Sequence, residues 1–126
     1  MILVDTSVWV RHFRMGDKRL AELLEAGEVA CHPDIVGELA CGNLKRRTMV
    51  LSLLRELPVV PVAEDEEVLA LLDREKLYGR GLGWIDAHLL ASALVGRVRL
   101  WTADGPLRAI ADELEIAYHV NDSGSA

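Results

Sequence analysis

The chain has 126 residues, a length that predicts one domain burying about two-thirds of its unfolded surface and that excludes a multidomain enzyme. Apolar residues make up 51% and Asp, Glu, Lys and Arg 27%, too apolar for disorder and too often interrupted by charge for a membrane protein; no apolar run approaches the roughly 20 residues a bilayer needs. Fourteen Lys+Arg against twenty Asp+Glu give a net charge of −6, which excludes generic charge-driven binding to nucleic acid but leaves room for carboxylates gathered to hold cations.

The start, Met1-Ile2-Leu3-Val4-Asp5, meets an acid after three apolar residues and lacks the basic, long-apolar pattern of a signal peptide, so a cytoplasmic protein is expected. Ile2–Val4 is the first candidate strand, and Asp5-Thr6-Ser7 joins it to a helix beginning Val8-Trp9-Val10. Leu20, Leu23 and Leu24 mark a second helix that Gly27 stops. Val29–His32 is the second strand; Pro33 then suits a helix start, with Ile35, Val36, Leu39 and Ala40 as its apolar stripe. Val50/Leu53/Leu54/Leu57 has helical period, Val59–Val62 reads as a third strand, and Val68/Leu71/Leu72 as another helix. After Gly79, Gly81 and Gly83 comes a helix through Asp86/Leu89/Leu90/Ala93 that Gly96 should stop. Val98–Thr102 is the fourth strand, Leu107/Ile110/Ala111/Leu114 the last helix and Ile116–Val120 the fifth strand, leaving 121–126 as a frayed tail beyond a domain of residues 1–120. Cys31 and Cys41 are too few for a disulfide scaffold and are expected as reduced thiols.

Strands alternating with helices predict an α/β architecture with a five-stranded parallel sheet, which binds ligands outside the carboxyl ends of its strands. Acids fall there: Asp5 directly after the first strand and Asp104 two residues beyond the fourth. Asp86 shares its helix face with Leu89, Leu90 and Ala93, where a buried carboxylate needs helix N–H groups, a cation or a basic partner. Glu38 borders the stripe of its helix. Each acid alone has an ordinary alternative: Asp5 and Asp104 as helix caps, Asp86 as a dipole partner, Glu38 as a solvated flank. Together they imply a repelling cluster that calls for hard divalent cations, because all-oxygen ligands favour Mg²⁺ or Mn²⁺ over zinc or copper.

The run Leu3-Val4-Asp5-Thr6-Ser7-Val8-Trp9, then Glu38-Leu39 before Gly42, then Gly83-Trp84-Ile85-Asp86-Ala87-His88-Leu89-Leu90-Ala91 and Leu100-Trp101-Thr102-Ala103-Asp104 resembles PIN domains, most closely the VapC-type toxins of toxin–antitoxin modules. The resemblance covers residues 1 to about 120 and implies a three-layer α/β/α fold of strand order 3-2-1-4-5, a Mg²⁺- or Mn²⁺-dependent ribonuclease with one or two ions, a homodimer and an antitoxin partner. It carries the acidic quartet onto Asp5, Glu38, Asp86 and Asp104, with Thr6, Ser7 and Thr102 as the hydroxyls beside it. The ion would acidify a water for in-line attack on phosphorus. Phosphate binding then needs local bases, for which Arg11/Arg14/Lys18/Arg19 and Lys45/Arg46/Arg47 are candidates, each group also readable as a solvated helix face.

Two other functions compete. A phosphoacceptor receiver domain has a similar length but needs an acidic pair after the first strand and a Lys after the last, where Asp5-Thr6 and Val120-Asn121 stand. A catalytically silent PIN-like binding domain would share the fold, and the intact quartet argues against it. His12, His32, His88 and His119 show no spacing that would make a catalytic pair, and Trp9, Trp84 and Trp101 read as packing residues.

Overall fold

The structure, a computed structural model, describes residues 1–120; the expected tail at 121–126 lies outside the described residues. In chain order the elements are β1 (Ile2–Val4), α1 (Thr6–Met15), α2 (Lys18–Glu25), β2 (Val29–Ala30), α3 (Pro33–Cys41), α4 (Arg47–Glu56), α5 (Asp65–Arg74), α6 (Trp84–Gly96), β3 (Arg99–Trp101) and α7 (Gly105–Glu113). The sheet is parallel with order β2-β1-β3, pairing Ile2 with Val29 and Arg99, and Leu3 with Ala30 and Leu100. Successive strand side chains point to opposite faces, yet Ile2, Leu3 and Val4 are all buried, so β1 is covered on both sides. That is the position a short, wholly aliphatic strand requires.

The expected third and fifth strands are reduced to single parallel bridges, Cys31 with Val59 and Leu100 with Ala117. Around Val59, Pro58 and Pro61 offer no N–H, and pairing is limited to Cys31 N–H donating to the Pro58 carbonyl at 2.8 Å and Val60 N–H to the Cys31 carbonyl at 3.0 Å. At the other edge the Arg99 guanidinium donates to the Ala117 carbonyl at 3.1 Å.

The helical periods fall where they should, with local shifts. In α4 the buried positions are Leu51 and Leu54, whereas Leu53 is 56% exposed. α7 buries Leu107, Ile110 and Ala111 completely. α6 is buried at every position from Ala87 to Ala93, so it is the central helix of the packing rather than an amphipathic surface one. It stops at Gly96 as expected, with Arg97 as its C-cap in the left-handed region (φ 54°). Gly96 also allows close approach: a Cβ there would lie 3.0 Å from Pro61 Cδ. Cys31 is buried and Cys41 exposed, both free thiols. No helix among the described residues is long and apolar enough to cross a membrane.

Candidate active site

The carboxyl end of β1 delivers Asp5 into the N-cap position of α1, but its side chain makes no cap hydrogen bond. Asp5 is instead 5% exposed, and its Oδ2 accepts from Ser7 Oγ at 2.8 Å and from Thr102 Oγ1 at 2.7 Å. The ordinary capping alternative therefore does not account for it. Thr102 follows β3, so the adjacency of β1 and β3 is what brings residues 97 positions apart into contact. The same hydroxyl accepts the Asp104 N–H at 3.0 Å, and Ser7 Oγ accepts the Ala103 N–H at 3.0 Å, which fixes the loop after β3.

Asp104 does cap its helix: Oδ2 accepts the Leu107 N–H at 3.1 Å at the start of α7. Asp86, in the first turn of α6, accepts the Gly83 N–H on Oδ2 at 3.1 Å. Glu38, inside α3, accepts from Thr6 Oγ1 on Oε1 at 2.7 Å. One pattern runs through all four: one oxygen is tied to a named donor, and the other (Oδ1 of the aspartates, Oε2 of Glu38) has no protein hydrogen bond among the described residues. None of the four pairs with a Lys, Arg or His there, whereas Asp17 pairs with Arg11 at 3.1 Å and Glu113 with Arg80.

Electrostatics shows that the four share one field. Asp86 is pushed above the usual carboxylate range, first by burial, which the Gly83 N–H opposes, and then by the negative charges of Asp5, Asp104 and Glu38. The N-termini of α1, α6 and α7 converge on the same rim and partly offset that repulsion. No three of these carboxylates bring ligating oxygens within 4.8 Å of one another, but spare anionic oxygens without a protein counter-charge are the donor set that a hard divalent cation takes.

A second polar cluster was not legible from spacing. His32 and His88, expected to be unrelated, lie with ring centroids 6.5 Å apart, and with Asp34 they offer metal-ligating atoms all within 4.8 Å of one another. His32 Nδ1 accepts the Asp34 N–H at 3.0 Å as the cap of α3, which puts the ring proton on the buried, unpartnered Nε2. His88 Nε2 faces Asp65 Oδ1 at 3.1 Å, leaving its Nδ1 buried and unpartnered, while Trp84 packs edge-on at 4.7 Å. Burial, only partly countered by Asp34, holds His32 below the usual imidazole value; His88 lowers it further. Trp9 and Trp101 are core residues as expected, but Trp84 is exposed.

The PIN-domain profile matches residues 2–113. The chain belongs to the PIN-domain family. It is 53% identical over 118 residues to ribonuclease VapC32 of Mycobacterium tuberculosis, in strains CDC 1551 / Oshkosh and ATCC 25618 / H37Rv, covering 93% of this chain and 95% of that protein. That match makes it a VapC-type PIN domain. Two solved structures share the fold. A toxin–antitoxin complex from Klebsiella pneumoniae aligns with TM-score 0.62 at 24% identity, over 82% of this chain and 87% of its own. FitAB bound to an IR36 DNA fragment aligns with TM-score 0.59 at 22% identity, over 89% and 91%.

Proposed function

We propose that this PIN domain is a divalent-metal-dependent endoribonuclease and the toxin of a toxin–antitoxin pair, with residues 1–120 as its nuclease domain in the cytoplasm. The observation that carries the reading is the quartet itself: among the described residues Asp5, Glu38, Asp86 and Asp104 each keep an oxygen unused and lack a cationic partner, and the charges of Asp5, Asp104 and Glu38 add to the burial that raises Asp86. The 53% identity to a protein named as a ribonuclease supports the substrate class.

The four acids would hold Mg²⁺ or Mn²⁺, one ion or two. When bound, the cation supplies acidified water and neutralises charge on the phosphodiester. The chain's own residues do the positioning. Ser7 and Thr102 hold one oxygen of Asp5 and leave the other without a protein donor, and Thr6 does the same for Glu38. Asp104 is held twice, through its amide by Thr102 and through its carboxylate by Leu107. Such outer hydrogen bonds typically matter 10–100-fold for metal affinity or activity.

An antitoxin is supported by a cleft of about 460 Å³ between α1, α2 and α4, where Trp9, Phe13, Leu24, Val50, Leu53 and Leu57 offer an apolar seat for a protein segment. A homodimer belongs to the same reading, as does extension of the sheet through the two outer bridges to the order 3-2-1-4-5. The test is cleavage of single-stranded RNA in Mn²⁺, in EDTA and by Asp5→Asn. Cleavage confined to the parental protein in Mn²⁺ is expected. A silent binding domain would leave RNA intact in every arm.

A further inference from the structure

The acidic centre lies between two clefts of unlike lining. On the Glu38 side, a cleft of about 590 Å³ runs from Thr6 and Glu38 past Phe13 and Asn43 to Arg14 and Lys45. On the Thr102 side, a cleft of about 350 Å³ begins at Thr102 and Ala103 and is walled by Arg11, Arg108 and His119 beside Trp101. The residues where each cleft meets the centre are those that hold its acids: Thr6 donates to Glu38, and Thr102 donates to Asp5.

We propose that the two clefts form one track for a single strand of RNA, which places nucleotides on both sides of the scissile phosphodiester. Arg14 and Lys45 take phosphate on one side and Arg108 takes it on the other. This rests on the nuclease reading above and extends it to how the strand is held.

The charge pattern carries the assignment. A chain of net charge −6 with four uncompensated carboxylates at its centre repels a polyanion unless cations flank that centre. Arg14 and Lys45 are exposed and form no ion pair among the described residues, so their charge is available to a ligand. Arg108 donates to His119 Nδ1 at 3.1 Å, a ring nitrogen rather than a carboxylate, while the far side of that ring faces Asp112 at 2.6 Å. Arg74 and Arg80 line neither cleft and are paired with Glu75 and Glu113. Phe13, 38% exposed at the Glu38-side cleft, adds an apolar ring on which a base can rest. Arg11, which lines the same cleft as Arg108, is paired with Asp17 at 3.1 Å. Space and cations on both sides suit cleavage inside a strand, since a terminal phosphodiester would leave one cleft empty.

The experiment measures binding of a fluorescein-labelled oligouridine strand by anisotropy across a salt series, in an Asp86→Asn background that prevents turnover. Replacing Arg14 and Lys45 together by Gln, or Arg108→Gln alone, is expected to flatten the dependence of log affinity on log salt by about 0.7 for each phosphate that is no longer neutralised. Arg74→Gln is the control and leaves the slope unchanged. With Asp86 intact, the same track substitutions raise KM and leave kcat near the parental value. All the substituted side chains are exposed or partnered at the surface, so the fold survives them. If the parental protein cleaves RNA but neither slope changes, the track is wrong and the clefts belong to a protein chain. A change on one side only overturns the two-sided arrangement. If the parental protein cleaves no RNA in Mn²⁺, the nuclease reading itself falls.

Discussion

Two polar clusters sit at the carboxyl edge of the same sheet and have solved burial in opposite ways. Beyond β1 and β3, Asp5 and Asp104 are held by Ser7, Thr102 and Leu107 through one oxygen and keep the other in reserve. Beyond β2, His32 uses its Nδ1 to close the first turn of α3, and its remaining buried nitrogen carries a proton. The first cluster is rich in anionic lone pairs with no counter-charge; in the second, His32 has its acceptor committed to the backbone and Asp34 supplies a single carboxylate beside His88. Binding capacity for a hard cation follows from what is left over after the fold has used what it needs, and the four-carboxylate rim has more anionic oxygen left over than the cluster of two imidazoles and Asp34.

The contrast can be broken most severely by exchanging which cluster is disabled. Asp5→Asn is expected to lower RNA cleavage by more than the 10–100-fold typical of outer-shell groups, with unchanged circular dichroism. His32→Ala should cost stability by about 1 kcal/mol through the lost cap while leaving cleavage by the folded protein near parental. Loss of activity in folded His32→Ala, with activity kept in Asp5→Asn, would reverse the assignment of the two clusters.

A smaller effect sharpens the account of Asp5. Thr102→Val removes its 2.7 Å hydrogen bond and the acceptor for the Asp104 N–H, so cleavage and Mn²⁺ affinity should fall about 10–100-fold together. A fall in kcat with metal affinity unchanged, measured by titration calorimetry, would mean that Thr102 does not act through the ligands.

Smaller still are two pH effects of opposite sign. Asp86 has a folded pKa above the ordinary carboxylate value, so the native state keeps that proton longer than the unfolded chain, and stability declines as pH rises through the raised value. In metal-free protein Asp86→Asn is therefore expected to raise Tm at neutral pH, with the gain vanishing in acid and shrinking when Mg²⁺ is added. His32 has a folded pKa below the ordinary imidazole value, so its contribution is intact above about pH 6.5 and is lost as pH falls toward the folded value. Calorimetric melting of the parental protein and of Asp86→Asn between neutral and mildly acid pH separates them. A Tm gain for Asp86→Asn that persists in acid would remove charge repulsion as its cause.

Asp5, Asp86 and Asp104 could be singled out in the sequence because each lies beside a strong local signal: Asp5 after Ile2-Leu3-Val4, Asp86 on an inward face with Leu89 and Leu90, Asp104 before Pro106. The outer sheet edges were less legible, since Val59–Val62 has β-rich composition while Pro58 and Pro61 remove the donors that pairing needs, a tertiary cost that composition does not express. Gly96 ends its helix as its position suggested, but its second use, space against Pro61, is a tertiary one that the sequence does not express. The meeting of His32 with His88 and of His88 with Asp65 left no trace in spacing, because the end of β2, α5 and α6 come together only in the tertiary fold, where α5 packs on α6. The clearest missed hint was chemical: His88 lies among Ala87, Leu89, Leu90 and Ala91, where an imidazole must find a partner.

Anomalous diffraction from crystals grown with Mn²⁺ tests the central claim most directly. The account predicts manganese bounded by the free oxygens of Asp5, Asp86 and Asp104, with Glu38 alongside, and none at His32. Manganese at His32 and His88 with the acidic rim empty, at a concentration that supports RNA cleavage, would contradict it.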